Sequence, residues 1–178
     1  MIEALKKIEE VFRVSSSSDE LFDNFQISLK YPTVDISVYK ILLANPVITS
    51  DEIKMYSEKI IKQFPQHSFE ILFWTGNIFE SQKDDLDRLG DSINYYRRAF
   101  QINPFDENTL VHLLNLYNYE TDIKANKEVL DFVESSVITV NKKSRVYFYL
   151  SDIYRQSGNL TMAARYLALG EKSAEREV

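Results

Sequence analysis

The sequence predicts an all-α fold, a stack of about five antiparallel helical hairpins in one domain over residues 1–178. Three observations predict it. Helix breakers are scarce, four Gly and four Pro in 178 residues, so the connections are few and short. Apolar residues recur at i, i+3, i+4 and i+7, the stripe of an amphipathic helix, and several stripes stop at a proline. Small residues stand at matched places among large ones, where two helix backbones approach closely.

The N-terminal hairpin reads as helices over 2–13 and 19–30, joined by the run Ser15 to Ser18, whose last member or Asp19 caps the second helix. The next pair lies near 34–45, capped by Asp35, and 51–63, where Ile53, Tyr56, Ile60, Ile61 and Phe64 lead up to Pro65. Proline stops such a stripe because its ring clashes with the carbonyl four residues back. Ser68 is the cap expected for a helix near 67–82, with Leu72, Thr75, Gly76 and Phe79 at the packing positions. A polar turn from Ser81 to Gly90 precedes a helix near 88–102 carrying Ile93, Tyr96, Ala99, Phe100 and Ile102 to Pro104. Asp106 caps a helix near 107–120 with Leu110, Leu113, Leu114 and Tyr117. The helix near 123–140 has an apolar face of Val129, Leu130, Phe132, Val133 and Val137. The last hairpin is the clearest: Tyr147, Leu150, Ser151 and Tyr154 over 144–156, a turn at Gly158, then Ala163, Leu167 and Gly170 over 160–175. Pro32, Pro65 and Pro104 fall 33 and 39 residues apart. All four glycines find a place, Gly76 and Gly170 at close helix contacts, Gly90 and Gly158 in turns.

A large residue, a large–small pair, an aromatic, a Gly-containing turn and a second helix with small residues: this order resembles the tetratricopeptide repeat. The resemblance covers 68–105, 106–141 and 144–175, with degenerate hairpins at 1–32 and 33–66. The units depart from the family in a spacing of about 37 to 38 residues against roughly 34, in the long 81–90 turn, and in the lack of small residues around Lys127 to Val140. Phe69 to Glu80 with Trp74 also resembles the crooked-neck-like repeats of RNA-processing scaffolds. The resemblance implies a right-handed α-solenoid, in which hairpins too short to bury their faces alone stack on their neighbours.

Composition narrows the chemistry. A net charge of −6 and a pI near 5.0 argue against direct nucleic-acid binding, which needs a basic stripe. No cysteine is present, so disulfides and thiolate chemistry are out, and no run of eighteen apolar residues reads as a membrane span. A cytoplasmic location is expected. The two histidines, His67 and His112, fall in separate helices with no third ligand placed by spacing. A calcium loop starting at Asp85 would put Leu89 and Tyr96 at ligand positions, and fails. Neither a phosphate loop nor a nucleophile elbow occurs. Neither metal nor cofactor is expected, and no enzyme.

The expected function is a protein-interaction scaffold or adaptor holding a partner peptide or helix in a concave groove. The resemblance assigns that groove to the first helix of each hairpin. There it implies Phe73, Asn77 and Glu80, then Asn108, Val111, Asn115 and Asn118, then Arg145, Phe148, Asp152 and Arg155. Asn77 and Asn115 share a register, and an Asn can pair with a bound backbone through both donor and acceptor. The clamp that relatives use for the acidic tails of heat-shock chaperones maps onto Phe73, Asn77, His112, Arg145 and Tyr149, and three of its five residues are lost. A rival expectation is assembly through the solenoid ends. Met162, Tyr166 and Leu169, beside Ala163 and Leu167, form an arc wider than one partner helix covers, which suggests a homodimer through the C-terminal hairpin. A third is an RNA-processing scaffold acting by protein contacts.

Overall fold

The computed structural model describes residues 2–31, 34–81, 86–117 and 123–177. Pro32, the acidic-turn residues Asp84 and Asp85, and the groove candidate Asn118 lie outside the described residues. Among the described residues there are ten α-helices and no strand: α1 (Ile2–Val14), α2 (Ser18–Ser28), α3 (Ile36–Leu43), α4 (Ser50–Gln63), α5 (Ser68–Glu80), α6 (Leu86–Ile102), α7 (Glu107–Asn115), α8 (Ile123–Ser136), α9 (Ser144–Gln156) and α10 (Leu160–Glu177).

The caps test the sequence signals one by one. Asp35 and Asp106 cap α3 and α7, accepting from the amides of Ser37 at 2.8 Å and Thr109 at 2.9 Å. Helix α2 is capped by Ser17, one residue before the expected pair, while Ser18 turns away and donates to Glu52 at the start of α4. Ser68 opens α5 without capping it. A 3-10 turn, Pro65–His67, runs straight into the helix, and the Ser68 hydroxyl donates back to the Pro65 carbonyl at 2.7 Å. Gly90 is not in a turn: α6 starts at Leu86 and carries it as an exposed helical residue. Helix α8 stops at Ser136, short of the expected 140. Thr139 donates to the Pro104 carbonyl at 2.9 Å and the Asn141 amide reaches the Phe105 carbonyl at 3.4 Å. These bonds, one from the Thr139 hydroxyl and one from the Asn141 amide, anchor the loop after a Val137-Ile138-Thr139-Val140 run that is β-branched throughout and a poor helix former.

Consecutive helices pack as pairs, and the first helices of neighbouring pairs touch as well: α1 on α3, α3 on α5, α7 on α9. The buried apolar residues form two clusters, one from α1 to α6 around Phe25, Tyr39 and Tyr56, the other from α6 to α10 around Tyr96, Leu110 and Leu150. Phe73 packs against both.

Small residues sit at the tightest crossings. A Cβ on Gly76 would lie 2.8 Å from the ring of Tyr96 in α6, and one on Gly170 would lie 2.7 Å from the ring of Phe148 in α9. A serine ties each of these crossings: Ser92 donates to the Gly76 carbonyl at 2.9 Å, and Ser151 to the Ala163 carbonyl at 2.8 Å. The last hairpin is closed at its open end by Glu177. Its carboxylate accepts from the amides of Lys143 at 2.6 Å and Ser144 at 3.1 Å, capping α9 from the far end of α10. The contact brings the end of α10 to the start of α9, as antiparallel packing places them.

The C-terminal apolar arc is largely consumed inside the chain. Tyr166 is only 6% exposed, stacked on Tyr154 at 5.6 Å and Tyr147 at 6.0 Å, and Met162 and Leu169 are half-buried against the same cluster. Two tyrosines of α9 reach further over α10 than the helix stripe suggested. The exposed large apolar residues of α10 are Leu167, at 44%, and Leu160, at 67%.

Candidate functional site

Three of the expected groove residues meet in one cluster, though not as an open surface. Phe73, Asn77 and Glu80 lie on successive turns of α5 and are each half-buried. Tyr96 of α6 lies over Gly76, fully buried, with its hydroxyl 2.8 Å from Asn77 Oδ1, 3.2 Å from His112 Nδ1, and bonded to the Glu80 carboxylate. His112 of α7 completes the ring, with Nδ1 2.7 Å from Glu80. Phe73 packs edge-on to both rings, 5.5 Å from Tyr96 and 5.0 Å from His112. A phenol donates one proton, so Asn77 and Glu80 compete for it, and the carboxylate is the stronger acceptor. Burial first, and the Glu80 hydrogen bond and charge next, push the Tyr96 hydroxyl well above the usual tyrosine range.

A carboxylate holding the Nδ1 of a histidine is half of a nucleophile-activating arrangement. Here the hydroxyl beside it is a fully buried phenol hydrogen-bonded to that same carboxylate. What the cluster does is join α5, α6 and α7. Asn77 is half-buried with its Oδ1 engaged by Tyr96, and its register match with Asn115 does not make the two surroundings equivalent. Asn115 is the last residue of α7, half-buried and already in contact with other groups of the chain.

Val111 has to be removed from the groove. It is 2% exposed and belongs to the second core cluster, because α7 is covered on two sides, by α6 and by α9. The remaining described residues do face water. Asn108 accepts from Arg145 at 2.9 Å, tying the exposed starts of α7 and α9, and Arg155 pairs with Asp152 one turn apart. Phe148 is 36% exposed, its ring lying over Gly170 in the hollow that glycine leaves. Asn108, Arg145, Phe148, Asp152 and Arg155 form one mixed polar and aromatic strip.

A well-defined hollow lies elsewhere, between α1, α3 and α5. It has a volume of about 390 Å³ and is walled by Phe12, Arg13, Lys40, Ile41, Pro46 and Trp74, among others. Helix α3 contributes Ser37, Lys40 and Ile41 and its C-cap Ala44, at i, i+3, i+4 and i+7, one face of the helix. That spacing was available in the sequence, but nothing there said that α1 and α5 flank it. Asn45 closes one end: fully engaged, its amide donates to the Phe12 and Ser15 carbonyls at 3.0 and 3.1 Å and so caps the end of α1.

Among the described residues no group of three or more His, Asp or Glu could hold a metal ion, and no helix is long and apolar enough to cross a membrane. No family model, curated protein or solved structure matches the chain.

Proposed function

We propose that this chain is a right-handed tetratricopeptide-like solenoid that acts as a protein-interaction scaffold, without catalysis of its own. A segment of a partner protein lies along the face built from the first helix of each hairpin. The single observation that supports this best is the direct contact between those helices, α1 with α3, α3 with α5 and α7 with α9, which makes neighbouring first helices share a surface. On it the strip of Asn108, Arg145, Phe148, Asp152 and Arg155 offers charge, hydrogen-bonding groups and a partly exposed ring, the mixture that peptide-binding surfaces use.

The test uses residues that carry no core. Arg145 and Arg155 are exposed, so Arg145→Glu with Arg155→Glu leaves the thermal melt nearly unchanged. Wild type and variant are immobilised, exposed to the same lysate, and compared by quantitative mass spectrometry. A defined set of proteins should be lost on the variant; identical recovery removes this face as the binding surface.

Assembly through the C-terminal hairpin is the second reading, supported by Leu167, Phe148 and Tyr149, all exposed on α9 and α10. Because Tyr166 is buried, Leu167→Glu is the informative change. Light scattering over a concentration series should show association in the wild type that this substitution removes; a wild type that stays monomeric excludes the homodimer.

A further inference from the structure

Resting on the scaffold reading, we infer that the hollow between α1, α3 and α5 is a distinct subsite for a partner segment that presents a large apolar side chain next to a carboxylate. The walls are apolar, with Phe12 at the base and Ile41, Pro46 and Trp74 around it. Trp74 is held in place: its indole Nε1 donates to the Lys40 carbonyl at 3.0 Å, a carbonyl near the end of α3 that also accepts from the Ala44 amide at 3.1 Å. With its one donor used inside the chain, the indole offers a ligand only ring surface, and ring surface takes apolar groups.

The charged side chains that line this apolar hollow are both cations. Arg13 and Lys40 line it, and no Asp or Glu is among its described lining residues, in a chain of net charge −6. The partners of those cations stand outside the lining. Glu9 pairs with Arg13 at 2.9 Å on the exposed surface of α1, and Glu70 serves both Lys40 and, at 3.6 Å, His67. The Lys40–Glu70 pair is partly buried, whereas Arg13–Glu9 is exposed, and an exposed pair yields readily to a competing carboxylate; the guanidinium also has donors to spare for a second acceptor. A carboxylate arriving at the rim therefore meets two cations, while an apolar neighbour enters between Ile41 and Trp74.

The size argues for a chain segment. A volume of about 390 Å³ is at the small end of ligand sites and takes one or two large side chains. Ala44, Asn45 and Pro46 also line a second hollow, with Ile78, Ser81 and Arg88, so the depression continues beyond the first into a more polar one. An extended peptide uses such a succession of hollows, one side chain in each.

Trp74 is the chain's sole tryptophan, so its emission reads this hollow directly. The probe is a short capped peptide with a central phenylalanine flanked by aspartates. One control carries the corresponding amides, and another carries alanine for the phenylalanine. The acidic peptide should give a saturable change in Trp74 emission, with affinity falling about tenfold or more for either control and for the Arg13→Gln/Lys40→Gln protein. Ser37→Glu, an exposed change near the start of α3, is the second variant; it should repel the same peptide without loss of fold. No saturable change, an equal response to the amide peptide, or unaltered binding by the folded Ser37→Glu protein overturns the subsite. A Trp74 emission that shifts on dilution of the protein alone also overturns it, because the occupant is then a second copy of the chain. If the peptides fail while lysate capture still depends on Arg145 and Arg155, the subsite falls and the scaffold reading stands. Binding of the acidic peptide together with capture indifferent to those arginines supports the subsite and removes the α7–α9 strip.

Discussion

Replacing Gly76 with alanine adds one methyl group to the middle of a helix, where alanine is ordinarily the better residue by about 1 kcal/mol. The structure reverses that sign. The new carbon would lie 2.8 Å from Cδ1 and Cε1 of Tyr96 and 3.1 Å from Cζ, against a comfortable carbon–carbon separation of roughly 3.5–4.0 Å. Something has to move by most of an ångström. The α5 backbone is pinned by Ser92, which donates to the Gly76 carbonyl at 2.9 Å. The ring is fully buried and tethered through its hydroxyl to Glu80. Overpacking of this kind costs about 1–3 kcal/mol, and displacing a hydrogen bond to a charged group adds up to about 1.5–3. After the alanine gain is subtracted, the net loss is on the order of 2–3 kcal/mol. The assay is equilibrium unfolding in urea, followed in parallel by circular dichroism and by Trp74 emission. Tyr96→Phe unties the ring, so in that background Gly76→Ala should cost clearly less, and the difference measures the coupling. A Gly76→Ala protein as stable as wild type would refute the reasoning, because the close approach of α5 and α6 would then not depend on the missing Cβ.

Gly90→Ala is the mirror case: the residue is helical, exposed and has nothing within 4 Å of a Cβ, so the substitution should stabilise by about 0.5–1 kcal/mol in the same urea assay, and a loss would mean α6 does not extend that far. Tyr56 is buried beside Phe25 with no hydrogen-bond partner for its hydroxyl, and burial, helped by Glu52, pushes its pKa up to about 12; Tyr56→Phe keeps the ring contact at 4.6 Å and should raise the melting temperature or leave it unchanged, whereas a clear drop would reveal a partner. Among the carboxyl groups held below their ordinary values are Glu52, by the Ser18 hydrogen bond, and Glu58, by the Arg98 guanidinium, so the unfolded chain takes up protons before the folded one does. Their stabilisation is complete above those ordinary values and fades as the pH falls through the lower folded-state values. Urea midpoints should therefore be flat from neutral pH to about pH 5 and decline below it, less steeply in Glu58→Gln, and an unchanged acid slope in that variant would remove the Arg98 pair as a cause.

The helices themselves were legible in the sequence, because a helix stripe is a local property. Ile53, Tyr56 and Ile60 share a face whatever lies opposite. So were the small residues at the crossings, since Gly76, Ala99, Ala163 and Gly170 stand where no larger side chain suits two close backbones. Details that depend on how the chain arrives at a point were not. Whether Ser17 or Ser18 caps α2 is decided by the backbone angles of the approach and by Glu52, which waits 34 residues along. The end of α8 is decided by the carbonyls of Pro104 and Phe105. The site divides in the same way. Arg145, Asp152 and Arg155 are exposed because their own helix turns them outward, and helix period alone identifies them. Val111 occupies an equally good helical position, yet it is buried because α6 and α9 both cover α7. Asn77 and Glu80 read as free polar residues until Tyr96 and His112, 16 to 35 residues away, take up their hydrogen-bonding groups. The hollow of Arg13, Lys40 and Trp74 gathers three residues from three helices, none at a spacing that links them in sequence. Hydrophobic period and local hydrogen bonding fix what each helix is, since both act within a few turns; which faces stay open depends on contacts between segments far apart in the chain, and only the packed structure supplies those.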